Sequence, residues 1–558
     1  MRQIEATMLT TLLMSAAVLG AIDPPAGLQK LASEFWAWRA KTQPASADDI
    51  PRIHRPAGWV PDWSKGAVAD RRLVLARFET RWTAIDTAGW AVPDQVDYRL
   101  IGSALARVRW ELDVNPVWRR DPNFYVQQTL GSLFEILVLP PPFDAARREA
   151  LRLRLRNIPR VAEQGASNLD QAIRPFAELA IASLGNVRHQ LTAMAAAVGG
   201  LGGAPDSAIA ALERFRGGLT RRLPTMPVRT AVGPEKYRWF LSRVALVPFL
   251  PAELLAMGRQ EWERSVAFES LEQARNAGLP ELPLFPTIEA NIAAEAADEA
   301  GVRRYLEDKR LLTVPGWVKH FLNMPVPAYL EPLAWLGVPD DLTGPSRLDQ
   351  DGVHYIPPPS PDLGYFGRSM AKDPRGIIVH EGIPGHYFQM VLSWAHENPI
   401  RRHYYDSGPN EGIGFYAEEM MLQAGLFDDR PRSKEIIYNF MRLRALRVEV
   451  DVRLATGEFT IAEAADYLRR TVPMDQETAL DEAAGFAAGP GQAITYQIGK
   501  LQITKLLADA KRQQGDRFDL RVFHDFVWKN GNVPLSLVRW ELLGSRDEIA
   551  RIDRNRRP

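Results

Sequence analysis

The sequence has no cysteine. That absence removes disulfides, thiolate nucleophiles, iron–sulfur clusters and cysteine-based zinc knuckles. Net charge is also missing: 68 Lys and Arg balance 68 Asp and Glu. A neutral chain argues against a nucleic-acid partner, because phosphate binding draws on an excess of cations. After the first thirty residues no stretch stays apolar long enough to cross a bilayer. Even PVRTAVGPEKYRWFLSRVALVPFLPAELLAMG is broken by charges and prolines, so no integral membrane domain is expected. Histidine is scarce, with nine in 558 residues. Any metal must therefore be held by imidazoles and carboxylates. Four of the nine, His380, His386, His396 and His403, fall in one short segment.

What is present is ordinary globular composition, 46% hydrophobic and 24% charged, in a chain long enough to bury a large core without staples. Residues 1–21 read as a secretory signal peptide, since TMLTTLLMSAAVLGA carries no charge and ends in small residues. A genuine signal makes the protein periplasmic or secreted. If the segment is instead a buried N-terminal helix, the protein is cytoplasmic. Beyond it, Leu28, Leu31, Phe35 and Trp36 share the face of an amphipathic helix. Further helices are expected over 70–112, 142–156, 168–194, 288–306 and 461–484. Alternating strands are rare, and hairpin turns scarcer still. A Pro- and Gly-rich stretch over 313–368 favours loops and short extended segments. The chain divides into a helical region over 22–330 and a catalytic helical region over 331–558. The expected fold is mainly α, a large helical metallopeptidase-like fold with a deep cleft and a few short strands.

Residues 376–390 read GIIVHEGIPGHYFQM. A His-Glu pair followed by a second His is the pattern of zinc hydrolases, in which two imidazoles bind Zn2+ and the carboxylate activates water. The usual spacing puts both histidines on one helical face. Here they are six apart, which on a regular helix would point them about 120° away from each other. Pro384 and Gly385 offer a way out, because Pro384 lacks an N–H and Gly385 tolerates unusual dihedrals. A local bulge that absorbs two residues would return His386 toward His380. The alternative is that both rings merely bond backbone groups.

Residues 408–421 read GPNEGIGFYAEEMM. Glu411 lies far enough beyond His386 for a second helix to bring it back as a third zinc ligand. Glu418 and Asp451 are the candidate acceptors for a ligand imidazole, with Asp451 preferred, while Glu419 reads as a solvated charge. Tyr496, after the AAGPGQ break, is a candidate hydrogen-bond donor to a developing oxyanion. His354 is a candidate donor to a substrate carbonyl, or a surface histidine. Arg444, Arg447 and Arg453 are candidate anchors for a substrate carboxylate, or partners of Glu418, Glu449 and Asp451. His396 and His403 read as surface residues.

The segments HEGIPGHYFQ, EGIGFYAEE, PGQAITYQIGKLQI and FHDFVWKNGNVPLSLV together resemble the DUF885 family of bacterial proteins, which in turn resembles the gluzincin metallopeptidases. The resemblance covers about residues 340–545. It implies His380, His386 and Glu411 as zinc ligands and Glu381 as general base. Two departures stand out: Ile413 replaces a common Trp, and Ala455 replaces a His in the family's Asp-Thr-Gly-x-His segment, leaving Asp451 in place. The expected activity is zinc-dependent hydrolysis of peptide bonds in short peptides. The alternatives are hydrolysis of a non-peptide amide or ester, and a non-catalytic helical binding protein.

Overall fold

The computed structural model describes residues 26–46 and 53–556. The signal-peptide segment lies outside the described residues. The first described helix, Ala26–Thr42, buries Leu28, Leu31 and Phe35 as their spacing predicts. Next come α1 (Lys65–Thr83) and α2 (Val92–Arg109). Ser64 caps α1 through an oxygen that accepts from the Ala67 N–H, a contribution of about 1 kcal/mol. A long α3 (Ala145–Asn168) packs along α4 (Ala204–Arg222). The segment 168–194, expected as one helix, is two, Arg174–Ser183 and Val187–Val198. The break falls at Gly185 and Asn186, residues that favour turns over helix interior.

The middle of the chain supplies α5 (Pro234–Arg243), α6 (Pro251–Arg275) and α7 (Ile288–Asp308). The Pro-rich stretch then forms one small sheet of β1 (Phe321–Pro325), β2 (Asp340–Asp341) and β3 (Gly352–Ile356). Its order is β1-β3-β2, with β3 parallel to β1 and antiparallel to β2. The sheet is short because prolines remove ladder donors on either side of it. All five residues of β3 are buried, so it lies inside the helical mass.

The last third contains α8 (His386–Trp394), α9 (Ser407–Ala424), α10 (Pro431–Thr456), α11 (Thr495–Gln514), α12 (Leu520–Lys529) and α13 (Asp547–Asn555). Helix α10 lies along α6, and α11 lies along α9. The α9–α11 crossing is very close. A Cβ on Gly412 would fall 2.7 Å from Gly499 Cα, and one on Gly499 only 2.5 Å from the Gly408 carbonyl oxygen. The largest buried apolar cluster runs from Leu28 to Ile552, so both sides of position 330 share one core.

Candidate metal centre

Three backbone segments build the site. The first is the HEGIPGH segment, which is not one bulged helix. Ile378–Gly382 forms a π-helical turn, Ile383 is extended, the Ile383–Pro384 peptide is cis, and α8 starts afresh at His386. The Pro384 carbonyl accepts a 2.6 Å hydrogen bond from Trp528 Nε1 on α12. Gly385 is required by space: a Cβ there would lie 1.8 Å from the His380 carbonyl oxygen. Helix break and restart thus achieve what the bulge was expected to do, leaving the two rings 4.6 Å apart between centroids and inclined at 72°.

The second segment is α9, capped by Asp406, whose side chain accepts from the Gly408 N–H. Glu411 and Glu418, two turns apart, both point at the histidines. Glu411 Oε2 lies 3.1 Å from His386 Nε2 and 3.5 Å from His380 Nε2. Between them Gly414 leaves room for the rings, since a Cβ would meet His386 Cε1 at 2.9 Å and His380 Nδ1 at 3.1 Å. Glu418 Oε1 lies 2.7 Å from His380 Nδ1. The Arg444 guanidinium grips Glu418 from the other side, 2.9 Å from Oε1 and 3.2 Å from Oε2. Glu418 therefore fixes the orientation of the His380 ring, with Nε2 directed toward Glu411.

The third segment is the start of α11. Its close crossing with α9 brings the Tyr496 ring nearly parallel to His380, 6.1 Å between centroids. The Arg447 guanidinium lies over that ring, 4.6 Å from its centroid.

Glu381 stands back from the pair, its two oxygens 3.9 Å from His380 Nε2 and His386 Nε2 respectively. Its side chain is 16% exposed, against 4% for His380, 2% for His386 and 0% for Glu411. Glu381 is thus the member that meets whatever enters. The ligand atoms of His380, Glu381 and His386 all fall within 4.8 Å of one another, and Glu411 approaches both imidazoles more closely still.

Charge is balanced by contact. Burial and Arg444 oppose protonation of His380, but Glu411 and Glu418 outweigh them and hold the ring up to about 9. Burial likewise opposes ionisation of Glu411, yet His386 and His380 keep the carboxyl well below its usual range. His386 Nδ1 and Glu411 Oε1 are buried without a hydrogen-bond partner among the described residues.

The remaining candidates sort by contact. His354 is not on the surface; it is buried on β3, with Nδ1 2.5 Å from Asp340 Oδ1 on β2. Its Nε2 is buried and unpartnered among the described residues. Burial disfavours its charge, but Asp340, Glu381 and Glu295 outweigh burial and raise it. Asp340 sits in a Pro-rich stretch without periodicity, so nothing in the sequence marked it as the partner.

Asp451 is not the imidazole's acceptor. Its oxygens are taken by the N–H groups of Gly491, at 2.9 and 3.0 Å, and Ala493, at 2.8 Å. It holds the loop leading into Tyr496, and Glu418 fills the role expected of it. Glu419 is not a solvated charge either, because it pairs with Arg264 and with the buried Lys500. The Arg447 fork is occupied by Glu482, at 2.7 and 2.6 Å. Arg453 is spent on Glu449 and Glu458, both at 2.8 Å. Neither arginine is free for a substrate carboxylate. Ala455 is buried with Tyr237 and Val452 in an apolar cluster. His396 is half-buried and accepts from the Asn398 N–H, while exposed His403 lies beside Trp36; neither joins the centre.

Two cavities, of about 450 and 360 Å3, lie elsewhere, and no residue of the centre lines them.

The chain belongs to a family of bacterial proteins of unknown function, DUF885, whose profile matches residues 46–300 and 339–542. Both histidines, Glu411 and the Tyr496 segment fall inside the matched regions. The solved structures that share the fold include two bacterial proteins. One is a candidate lipoprotein of unknown function from Shewanella oneidensis, 16% identical with a TM-score of 0.69, covering 93% of this chain and 99% of its own. The other is a candidate lipoprotein from Colwellia psychrerythraea, 16% identical with a TM-score of 0.71, covering 95% of this chain and 100% of its own. No curated protein matches the sequence.

Proposed function

We propose that the protein is a zinc-dependent hydrolase, a metallopeptidase that cleaves short peptides. The observation that carries this reading is the convergence of His380, His386 and Glu411 with Glu381 facing them. The donor set fits zinc: the 3.1 and 3.5 Å separations of Glu411 from the two imidazole nitrogens match the spacing of about 3.3 Å between tetrahedral donors bound at about 2.0–2.1 Å. Glu411 Oε1, buried without a hydrogen-bond partner among the described residues, also marks a site built for more than its own hydrogen bonds.

His380, His386 and Glu411 would hold the ion. When bound, zinc supplies Lewis-acid polarisation of a carbonyl and a lowered pKa for water. Glu381 is the base, taking the proton from the attacking water and returning it to the departing amine. Tyr496 and His354 are hydrogen-bond donors for the developing oxyanion or the flanking substrate carbonyl. Asp340 orients His354 by accepting from Nδ1–H and favours the charged ring, in which Nε2 is also a donor.

No helix among the described residues is long and apolar enough to cross a membrane. The leader-like segment at 7–21 supports a periplasmic or secreted location.

Digestion of a peptide library by the zinc-loaded chain, with products read by mass spectrometry, tests the activity. Cleavage by the wild type and its loss in Glu381→Gln are expected. Cleavage that survives in the variant would remove Glu381 from the mechanism. An intact library with turnover of amide or ester probes would move the substrate class away from peptides.

A further inference from the structure

The chain as a whole is neutral, yet one cavity collects an excess of guanidinium groups. It measures about 450 Å3 and lies between α1, α2, α5 and α13. Five arginines line it, Arg99, Arg109, Arg243, Arg546 and Arg556, against two carboxylates, Glu79 and Asp553. Both carboxylates are already engaged. Arg109 forks onto Glu79 at 3.2 and 2.5 Å, and Arg99 onto Asp553 at 3.0 and 2.8 Å. Three cations are left over. Among the described residues, Arg243 donates only to the Arg556 carbonyl, Arg556 Nε donates to the Ser242 carbonyl, and Arg546 lies over the Trp540 ring. Among the described residues, none of the three has a carboxylate closer than the 3.9 Å between Arg556 and Asp553. The excess is felt at Arg556, where burial, then Arg99, with Arg243 adding to them, push the guanidinium down to about 10.

The same cavity has rigid aromatic walls. Trp82 stacks on Tyr98 at 4.7 Å and 18°, and its Nε1 donates to the Tyr98 carbonyl at 3.0 Å. Its edge rests on Gly102, where a Cβ would come within 2.4 Å of Cζ2. Trp239 is held parallel to Trp110. Fixed rings beside uncompensated guanidinium groups are what a flat anion requires, because arginine forks onto carboxylate or phosphate and the ring stacks.

We propose that this cavity is a binding site for a small organic anion, a flat ring bearing a phosphate or carboxylate, with the ring against Trp82 and Trp239 and the anionic group on Arg243, Arg546 and Arg556. The site shares no residue with the metal centre, so it stands or falls apart from the proposed hydrolase.

Calorimetric titration of the full chain at low ionic strength, with 1-naphthyl phosphate and 1-naphthoate as probes, tests it. The two probes separate a phosphate site from a carboxylate site. Saturable binding of one ligand per chain is expected for at least one of them. 1-Naphthol and inorganic phosphate, each carrying half the recognition, should bind about tenfold or more weakly, and Arg243→Gln and Arg546→Gln should each cost about tenfold. Glu381→Gln should bind as the wild type does. No saturable binding of either probe, or binding unchanged in both arginine variants, would overturn the site. Inorganic phosphate binding as tightly as naphthyl phosphate would overturn the part assigned to the rings.

Discussion

Gly414 sits one turn beyond Glu411, and its missing side chain makes room for both imidazoles. In Gly414→Ala the added methyl would meet His386 Cε1 at 2.9 Å and the His380 ring at 3.1 Å. Overpacking of that kind costs about 1–3 kcal/mol, and displaced ligands should weaken zinc binding by about 10–100-fold. Competition against a chromogenic chelator measures this, and wild-type affinity in the variant would contradict the packing described. Glu418→Gln should weaken zinc over the same range of about 10–100-fold, because it loses the carboxylate that fixes His380. The His380 ring, held up to about 9 without metal, is protonated near neutrality. Zinc in the proposed site would have to displace that proton, so its affinity should fall as the pH falls below about 9. Calorimetry in two buffers of different ionisation enthalpy should show proton release on binding; its absence would contradict the electrostatics of the centre.

At the scale of elements, two junctions carry the site. One is the α9–α11 crossing through Gly412 and Gly499, which brings Tyr496 to His380. The other is the loop held by Asp451. Burial first, against the backbone N–H groups of Gly491 and Ala493, raises Asp451 from 3.8 to about 7. A folded pKa above the unfolded one means the stability contribution is full below about 3.8 and lost as pH rises through about 7. Relative to wild type, Asp451→Asn should therefore gain stability between pH 5 and pH 8, read by denaturant unfolding at both. A difference constant with pH would place the shift elsewhere.

The convergence of His380, His386 and Glu411 was legible in the sequence because composition limited the choice: without cysteine, only His and carboxylate remained, and they clustered at 380–411. The Leu28–Phe35 helix was legible through its period. The helix restart at His386 was not, since Pro384 and Gly385 are compatible with a bulge as well as with a break. Nor was the choice of Glu418 over Asp451 as the imidazole's acceptor, because contacts between helices leave no trace in spacing. His354 read equally as a surface residue, as its partner Asp340 sits fourteen residues upstream in a stretch with no pattern.

At the scale of the molecule, one apolar core runs from Leu28 to Ile552, and the centre is drawn from the HEGIPGH segment, α9 and α11 within it. A metal bound there would stabilise the fold by mass action. Removing it with a chelator should lower the melting temperature, and added zinc should restore it. The most direct measurement is the metal content of purified chain, by inductively coupled plasma mass spectrometry after dialysis against limiting zinc. One zinc per chain is expected in the wild type and in Glu381→Gln, with loss in His380→Ala and Glu411→Ala. A wild type without zinc, or full zinc retained in both ligand variants, would contradict the centre.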